Sequence, residues 1–287
     1  MLSEVFFPIP SFDNSPMKKF AVFGNPIAQS LSPTIHQMFA KSCAEDISYQ
    51  KIEAPLDSFE ATIDSFLATP QTVGCNVTAP FKERACAMAK HKDDAVMMAR
   101  AANTLMRNKK GELCAFNTDG IGLVADLTNN GLNLQGSKVL LLGAGGAARG
   151  VVHPLLNAGV EHLHILNRTV EKAQAIAEDA NNPKVTAVKP EQLFTDYDVV
   201  INSTSASLSG TLPAVPDAVL ANCKLAYDMV YSKDNGATIF MAHAAQLGAA
   251  KQLDGLGMLV EQAAAAFSIW TGKQPSTASV IEYLRNH

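Results

Sequence analysis

No two of the five cysteines stand at the C-x-x-C spacing of a redox or metal clip; Cys43, Cys75, Cys86, Cys114 and Cys223 are odd in number and widely separated. That argues against a disulfide framework and makes reduced thiols in a cytoplasm the expectation. The seven histidines supply no H-E-x-x-H, and His162 and His164 alternate within a strand-like run as surface or packing residues do, so no metal is implied. Charge is scarce as well, with 17% charged residues and a net charge of -4. At a pI near 6.0, no basic face is available to displace counterions from a phosphate backbone, which sets nucleic acid aside as a partner. No apolar run is long enough to cross a bilayer, so no membrane is expected either. The opening stretch "MLSEVFFPIPSFDNSP" has no basic leader, and its apolar part is broken by Pro8 and Pro10. We read residues 1–16 as an N-terminal extension rather than a secretory signal, with the ordered chain starting at Met17.

Apolar side chains are plentiful, 47% of 287 residues, which suits two domains or one α/β core with an insertion. From Met17 short apolar runs alternate with helical ones: "FAVFG" then "SPTIHQMFAKSC", "ISYQKIEA" then "LDSFEATIDSFLA", "TVGCNVTA" then "FKERACAMAK". The run "NTLMRNKKGELCAFN" reads as two strands turning near Lys110 and Gly111, so the first sheet is expected to be mixed. A helix "IGLVADLTNNG" then leads to a second βαβ series through "KVLLL", "HLHIL", "YDVVINST" and "KLAYDMVYS". The tail predicts two helices, with a stop at Gly272 and a restart at Pro275. The fold class is therefore α/β, an N-terminal unit with a mixed sheet followed by a doubly wound parallel sheet.

Between "KVLLL" and the next helix, Gly143, Gly145 and Ala148 match G-x-G-x-x-G/A, with Ala144, Gly146 and Ala147 filling the turn. In strand-to-helix context this is the dinucleotide fingerprint, although the same glycines would also serve a plain tight turn. The strand "HLHIL" ends at Asn167 and Arg168, where an NAD-binding chain carries a carboxylate for the ribose hydroxyls. Arg168 and Lys172, with Thr169 as cap of the following helix, instead suit a 2'-phosphate and favour NADP; Glu171 is the ordinary helix-start acid among them.

Lys82 falls in the first turn of a helix, where the macrodipole favours an acid over a cation. Either it is solvated there or it is aimed at a reactant. Asp119 and Ser32 both precede helical runs and read equally well as N-caps. Ser30 has no capping task, and Gln262 stands in an otherwise apolar helix, where a buried amide needs a partner.

Taken together, "GNPIAQSLSP", "NVTAPFKE", "ANT", "NTDG", "GAGGAARG", "NRT" and "GLGMLVEQAA" resemble the shikimate dehydrogenase family, in that order from Lys18 onward. The resemblance implies a substrate domain (residues 17–118 plus 255–287) and a Rossmann domain (residues 119–254) facing each other across a cleft. It also implies NADPH-linked reduction of 3-dehydroshikimate to shikimate, on the route to aromatic amino acids. Lys82 and Asp119 match the family's catalytic pair, a coupled dyad in which the proton is assigned to neither member. Ser30 and Ser32 would take a carboxylate, and Asn76, Thr78, Asn103, Asp119, Tyr231 and Gln262 the ring hydroxyls. Met229 and Gly255 would lie beside the nicotinamide, with Asp94 a further cofactor candidate that also reads as a solvated acid. Ala79 departs from the family, which usually has a larger aliphatic residue there. A quinate-accepting enzyme with relaxed cofactor use and a non-catalytic NADP(H) sensor remain as alternatives, and a homodimer is one assembly open to the chain.

Overall fold

The computed structural model describes residues 17–232 and 236–287; the expected N-terminal extension lies outside the described residues. Strands β1 (Lys18–Gly24), β2 (Ile47–Glu53), β3 (Thr72–Val77), β4 (His91–Lys92), β5 (Thr104–Arg107) and β6 (Leu113–Phe116) form one sheet in the order β2-β1-β3-β5-β6-β4. β1 runs parallel to β2 and β3, whereas β5 is antiparallel to β3 and β6, which makes this sheet mixed. Strands β7 (Lys138–Leu142), β8 (His162–Leu166), β9 (Val185–Val188), β10 (Val199–Asn202), β11 (Leu225–Asp228) and β12 (Gln252–Asp254) form a second sheet, ordered β12-β11-β10-β7-β8-β9 and parallel throughout. That order, reversing direction between β7 and β10, is the doubly wound dinucleotide-binding topology.

The helices of the first half are α1 (Ser32–Cys43), α2 (Phe59–Leu67), α3 (Lys82–Met88) and α4 (Asp94–Ala99). After them come α5 (Asp119–Asn129), α6 (Gly146–Asn157), α7 (Val170–Ala180), α8 (Asp217–Ala221), α9 (Ile239–Leu247), α10 (Leu256–Thr271) and α11 (Ala278–Asn286). Strand side chains alternate between faces, and both sheets are covered on both sides. Phe20 and Val22 point into a core with α1, α10 and α11, while Ala21 and Phe23 point the other way, onto α2 and α3. In the second sheet Val139 and Leu141 meet α5, α6 and α7, and Leu140 and Leu142 meet α8 and α9. Burial on both faces is why "KVLLL" reads as an unbroken apolar run rather than an alternating one.

Two details differ from the sequence reading. The edge strands β4, β9 and β12 are two, four and three residues long, too short to show a period of two, and they go unread, as do the helices α4, α8 and α9. α10 does stop at Gly272, in a left-handed conformation, but α11 begins at Ala278, three residues beyond Pro275.

The two sheets are joined where α5 crosses α10, and the crossing depends on missing side chains. A Cβ on Gly257 would stand 2.0 Å from Asp126 Oδ1, and one on Gly122 would stand 2.7 Å from the Met258 carbonyl oxygen. At the start of α5, a Cβ on Gly120 would stand 2.3 Å from Pro154 Cγ on α6. Glycine at these places lets α5 lie against both neighbours at once.

On the buried face of α1, His36 is fully buried and stacked on Tyr49 with ring centroids 4.3 Å apart. Burial lowers its pKa from 6.5 to about 3, against a weaker opposing pull from the Asn76 side chain. The ring is thus neutral in the folded chain and takes up a proton on unfolding at mildly acid pH. Stability contributed by this site is complete above the unfolded value and is lost as pH falls toward the folded one, with a slope of up to about 1.4 kcal/mol per pH unit. Urea unfolding at several pH values between 7 and 4 should show a shallower pH dependence in His36→Phe than in the unaltered protein; equal slopes would remove His36 as the source.

Candidate active site

A cleft of about 320 Å³ opens between the two halves. Ser30, Ser32, Asn76, Thr78, Lys82, Asn103, Asp119 and Gln262 line it, together with Met229, Tyr231 and Gly255. Every residue expected to touch substrate or to flank the nicotinamide therefore meets at one place. The chain brings them there by ending elements at the cleft: Asn76 in β3, Lys82 as the first residue of α3, Asp119 as the first residue of α5, and Met229 just past β11.

Lys82 Nζ donates to Asp119 Oδ2 at 2.6 Å, with side-chain exposures of 33% and 16%. The other carboxylate oxygen, Oδ1, accepts from Asn103 Nδ2 at 2.9 Å. Asn103 is itself held, since its Oδ1 accepts from the Thr118 backbone N–H at 3.0 Å and from the Thr104 hydroxyl at 2.9 Å. Asp119 is thus not an N-cap; Thr118 holds that position, and the carboxylate is free to face Lys82. Lys82 keeps its unusual place, with its charge answered by Asp119 across the cleft floor.

Three expectations are revised by hydrogen bonds. Ser32 is the first residue of α1 rather than its cap, and it is Ser30 Oγ that accepts from the Ser32 backbone N–H, at 3.2 Å. Ser30 therefore does have a capping task. Its hydroxyl also donates to Ser32 Oγ at 3.1 Å, which leaves the Ser32 proton available to the cleft. Gln262 is half-buried and already served, donating to the Leu259 carbonyl at 2.8 Å, so its amide does not depend on a ligand. Asn76 spends both amide hydrogens on the Asn103 carbonyl and Thr104 Oγ1, and its Oδ1 accepts from Tyr49 at 2.7 Å, so it offers a ligand one lone pair at most. Burial, reinforced by the Asp254 charge, raises the Tyr231 phenol pKa and keeps it a neutral donor.

The glycine turn lies outside that cleft lining. Gly143 has φ +104, and a Cβ there would stand 2.8 Å from Ser203 Oγ, so both its conformation and its surroundings demand glycine. Gly145, Gly146 and Ala147 are exposed at the N-terminus of α6, and a Cβ on either glycine would meet nothing within 4 Å, while Ala148 is buried against the sheet. Open space before a helix N-terminus, on a turn that admits close backbone approach, fits a dinucleotide pyrophosphate. At the end of β8, Arg168 and Lys172 are exposed cations with no ion pair among the described residues. Thr169 stands at the N-cap position of α7 but makes no side-chain cap hydrogen bond; Asn167 Nδ2 donates to its carbonyl at 2.8 Å. Asp94 is exposed at the start of α4 and does not line the cleft; Asp93 is the residue that caps that helix.

Met258 and Leu259 also line the cleft and escape the sequence reading. They precede Gln262 by four and three residues on one helix, the spacing that places side chains on a shared face, so that face could have flagged them. Gln29 lines it too, next to Ser30 in the chain.

A doubly wound nucleotide sheet beside a mixed α/β unit, with a Lys–Asp pair in the cleft between, defines a two-domain nucleotide-dependent dehydrogenase. Three family models match along the chain: the shikimate dehydrogenase substrate binding domain at residues 22–105, shikimate / quinate 5-dehydrogenase at 124–211, and the shikimate 5'-dehydrogenase C-terminal domain at 255–285. Over 272 residues the chain is 56% identical to the shikimate dehydrogenase (NADP(+)) of Alteromonas mediterranea, covering 94% of this chain and 97% of that one. It superposes on an Ael1 enzyme from Pseudomonas putida with a TM-score of 0.89 and 43% identity, covering 93% of this chain and 98% of that one. The shikimate 5-dehydrogenase of Thermus thermophilus, solved with NADP(H) and shikimate, matches with a TM-score of 0.83 and 32% identity over 94% of this chain and 99% of that one. The chain belongs to the shikimate dehydrogenase family.

Asn103 is the support on which the Lys82–Asp119 geometry rests. Asn103→Ala strands the Thr118 N–H, which is 1% exposed, and should cost about 1–3 kcal/mol in urea unfolding at neutral pH. A loss below a few tenths would show that the amide is replaceable.

Proposed function

We propose that this protein catalyses the reversible NADPH-dependent reduction of 3-dehydroshikimate to shikimate, in the cytoplasm, on the route to aromatic amino acids. The observation that carries this reading is the Lys82–Asp119 pair, 2.6 Å apart in a cleft that Ser30, Ser32, Asn76, Thr78, Asn103, Tyr231 and Gln262 also line. Residues 17–118 with 255–287 form the substrate unit and 119–254 the nucleotide unit in this reading. Packing supports that division with one qualification: α10 is buried in the first core through Val260 and Phe267, and α5 in the second through Leu123 and Leu127, although Asp119 at its tip serves the cleft.

When bound, NADPH supplies the hydride that converts the ketone to an alcohol. The chain must then deliver a proton to the oxygen at the same carbon and take it back in reverse. Lys82 and Asp119 hold that proton between them, and Asn103 keeps the carboxylate turned toward the lysine. The Ser32 hydroxyl, its proton left free by Ser30, donates to the substrate carboxylate. Thr78, whose hydroxyl has no partner among the described residues, and Tyr231 take the ring hydroxyls. Met229 and Gly255 line the cleft where they would flank the nicotinamide and would help to exclude water from it. The glycine turn from Gly143 to Ala148 would hold the pyrophosphate, and Arg168 with Lys172, beside Asn167 and Thr169, would hold the 2'-phosphate. Two exposed cations, and Asn167 with Arg168 rather than a carboxylate directly at the end of β8, support NADP over NAD.

Turnover assays test the reading. Following reduced-nucleotide absorbance with shikimate or quinate and NADP or NAD should show robust turnover for shikimate with NADP alone; efficient NAD-linked quinate oxidation would overturn it. Lys82→Ala should lower turnover by about 10² to 10⁴. Arg168→Ala should raise the KM for NADP by about tenfold or more and leave that for NAD unchanged. An equal effect on both nucleotides would remove Arg168 from phosphate recognition.

A further inference from the structure

α11 packs with the first-half core, where Val280 is buried and Ile281 and Leu284 lie against it. One turn beyond Ile281, Arg285 reaches out of that core to the nucleotide sheet. Its Nη1 donates to Asp254 Oδ2 at 2.9 Å and its Nη2 to Oδ1, a fork on a carboxylate that is 1% exposed. The same carboxylate takes two backbone hydrogen bonds, from Leu256 N at 3.2 Å and from Ser232 N at 3.3 Å. Leu256 follows Gly255 and Ser232 follows Tyr231, and both of those preceding residues line the cleft. Gly255 is further constrained, because a Cβ there would stand 2.1 Å from the Met229 carbonyl oxygen.

The surroundings make the guanidinium hard to replace. Asp126 on α5 bears on the same place as Asp254, and Arg285 is the cation that offsets both. Without it, Asp254 would be a buried carboxylate near Asp126, held only by two long backbone hydrogen bonds. Such a group swings out or admits water, and either response frees the amides of Ser232 and Leu256.

We propose that Arg285 is a positioning residue for the reaction: by gripping Asp254 at the junction of the two halves, it sets the cleft wall made by Tyr231 and Gly255. This rests on the assignment of the cleft to shikimate. A wall displaced by the order of 1 Å loses alignment between ring and nucleotide without losing any group that touches either.

The test compares Arg285→Ala with Arg285→Lys, which keeps the charge and loses the fork. In Arg285→Ala, kcat/KM for shikimate should fall by about tenfold or more, mainly through KM, while NADP affinity measured without substrate stays within about twofold. Arg285→Lys should restore part of the loss, and it carries the same test if Arg285→Ala does not fold. Asp254→Asn combined with Arg285→Ala should be little worse than Asp254→Asn alone, because the two residues act as one unit. Amide hydrogen exchange at Ser232 and Leu256 should quicken in Arg285→Ala, independently of turnover. An unchanged shikimate KM in a folded variant, an equal loss of NADP affinity, or additive losses in the double variant would each overturn the proposal. If the unaltered protein does not turn over shikimate, the functional assignment fails instead; unchanged exchange at the two amides would then overturn the role of Arg285 by itself.

Discussion

The close crossing of α5 over α10 is the constraint on which the rest of the molecule depends. Two glycines, Gly122 and Gly257, remove the Cβ atoms that would hold these helices apart. With them absent, the start of α5 and the middle of α10 reach the same cleft, and the Asp119 carboxylate arrives within hydrogen-bond distance of Lys82 from the other end of the mixed sheet's helical cover. Apolar packing holds the crossing, since α5 is buried against the second sheet and α10 against the first. Each helix thus belongs to one core and presents a polar tip or face to the gap between the cores.

Within the gap, polar groups are largely satisfied by one another before any ligand enters. Asn103 links Thr104, Thr118 and Asp119, and Asn76 ties Tyr49 to the backbone of β5's approach. Such a network fixes side chains that must act in a set geometry, at little cost, because each buried donor has an acceptor. Two hydroxyls keep hydrogen-bonding capacity at the cleft: Thr78, with no side-chain partner among the described residues, and Ser32, which accepts from Ser30 and retains its own proton. A similar division operates on the nucleotide side, where Asp228 is fully buried and accepts from Asn202, Thr238 and the Val230 N–H. That carboxylate gathers the ends of β10 and β11 and the cap of α9, so that Met229 leaves the sheet in a defined direction.

Electrostatics separate the two ends of the cleft. The Lys82–Asp119 pair is close to neutral as a unit, whereas Arg168 and Lys172, flanking Glu171 beyond the end of β8, are exposed and in no ion pair among the described residues. The pair suits proton exchange, which needs a charge that can be moved. The exposed cations suit capture of a dianion, which needs a charge that stays.

The sequence by itself determined the two βαβ series, the glycine turn and the residues that converge on the cleft, because periodicity, glycine at a strand-to-helix turn and short ordered motifs are local properties of the chain. It did not reveal β4, β9 or β12, which are too short for a period to register. Nor did it reveal that Ser30 rather than Ser32 does the capping, that Gln262 and Asn76 already have partners, or that Asp94 stands apart from the cleft. Those outcomes belong to the tertiary structure, since a hydrogen bond between Asn103 and Asp119, or between Arg285 and Asp254, depends on where two distant segments are brought by packing. Local sequence chooses which donors and acceptors exist; only the fold decides which of them are left for a ligand.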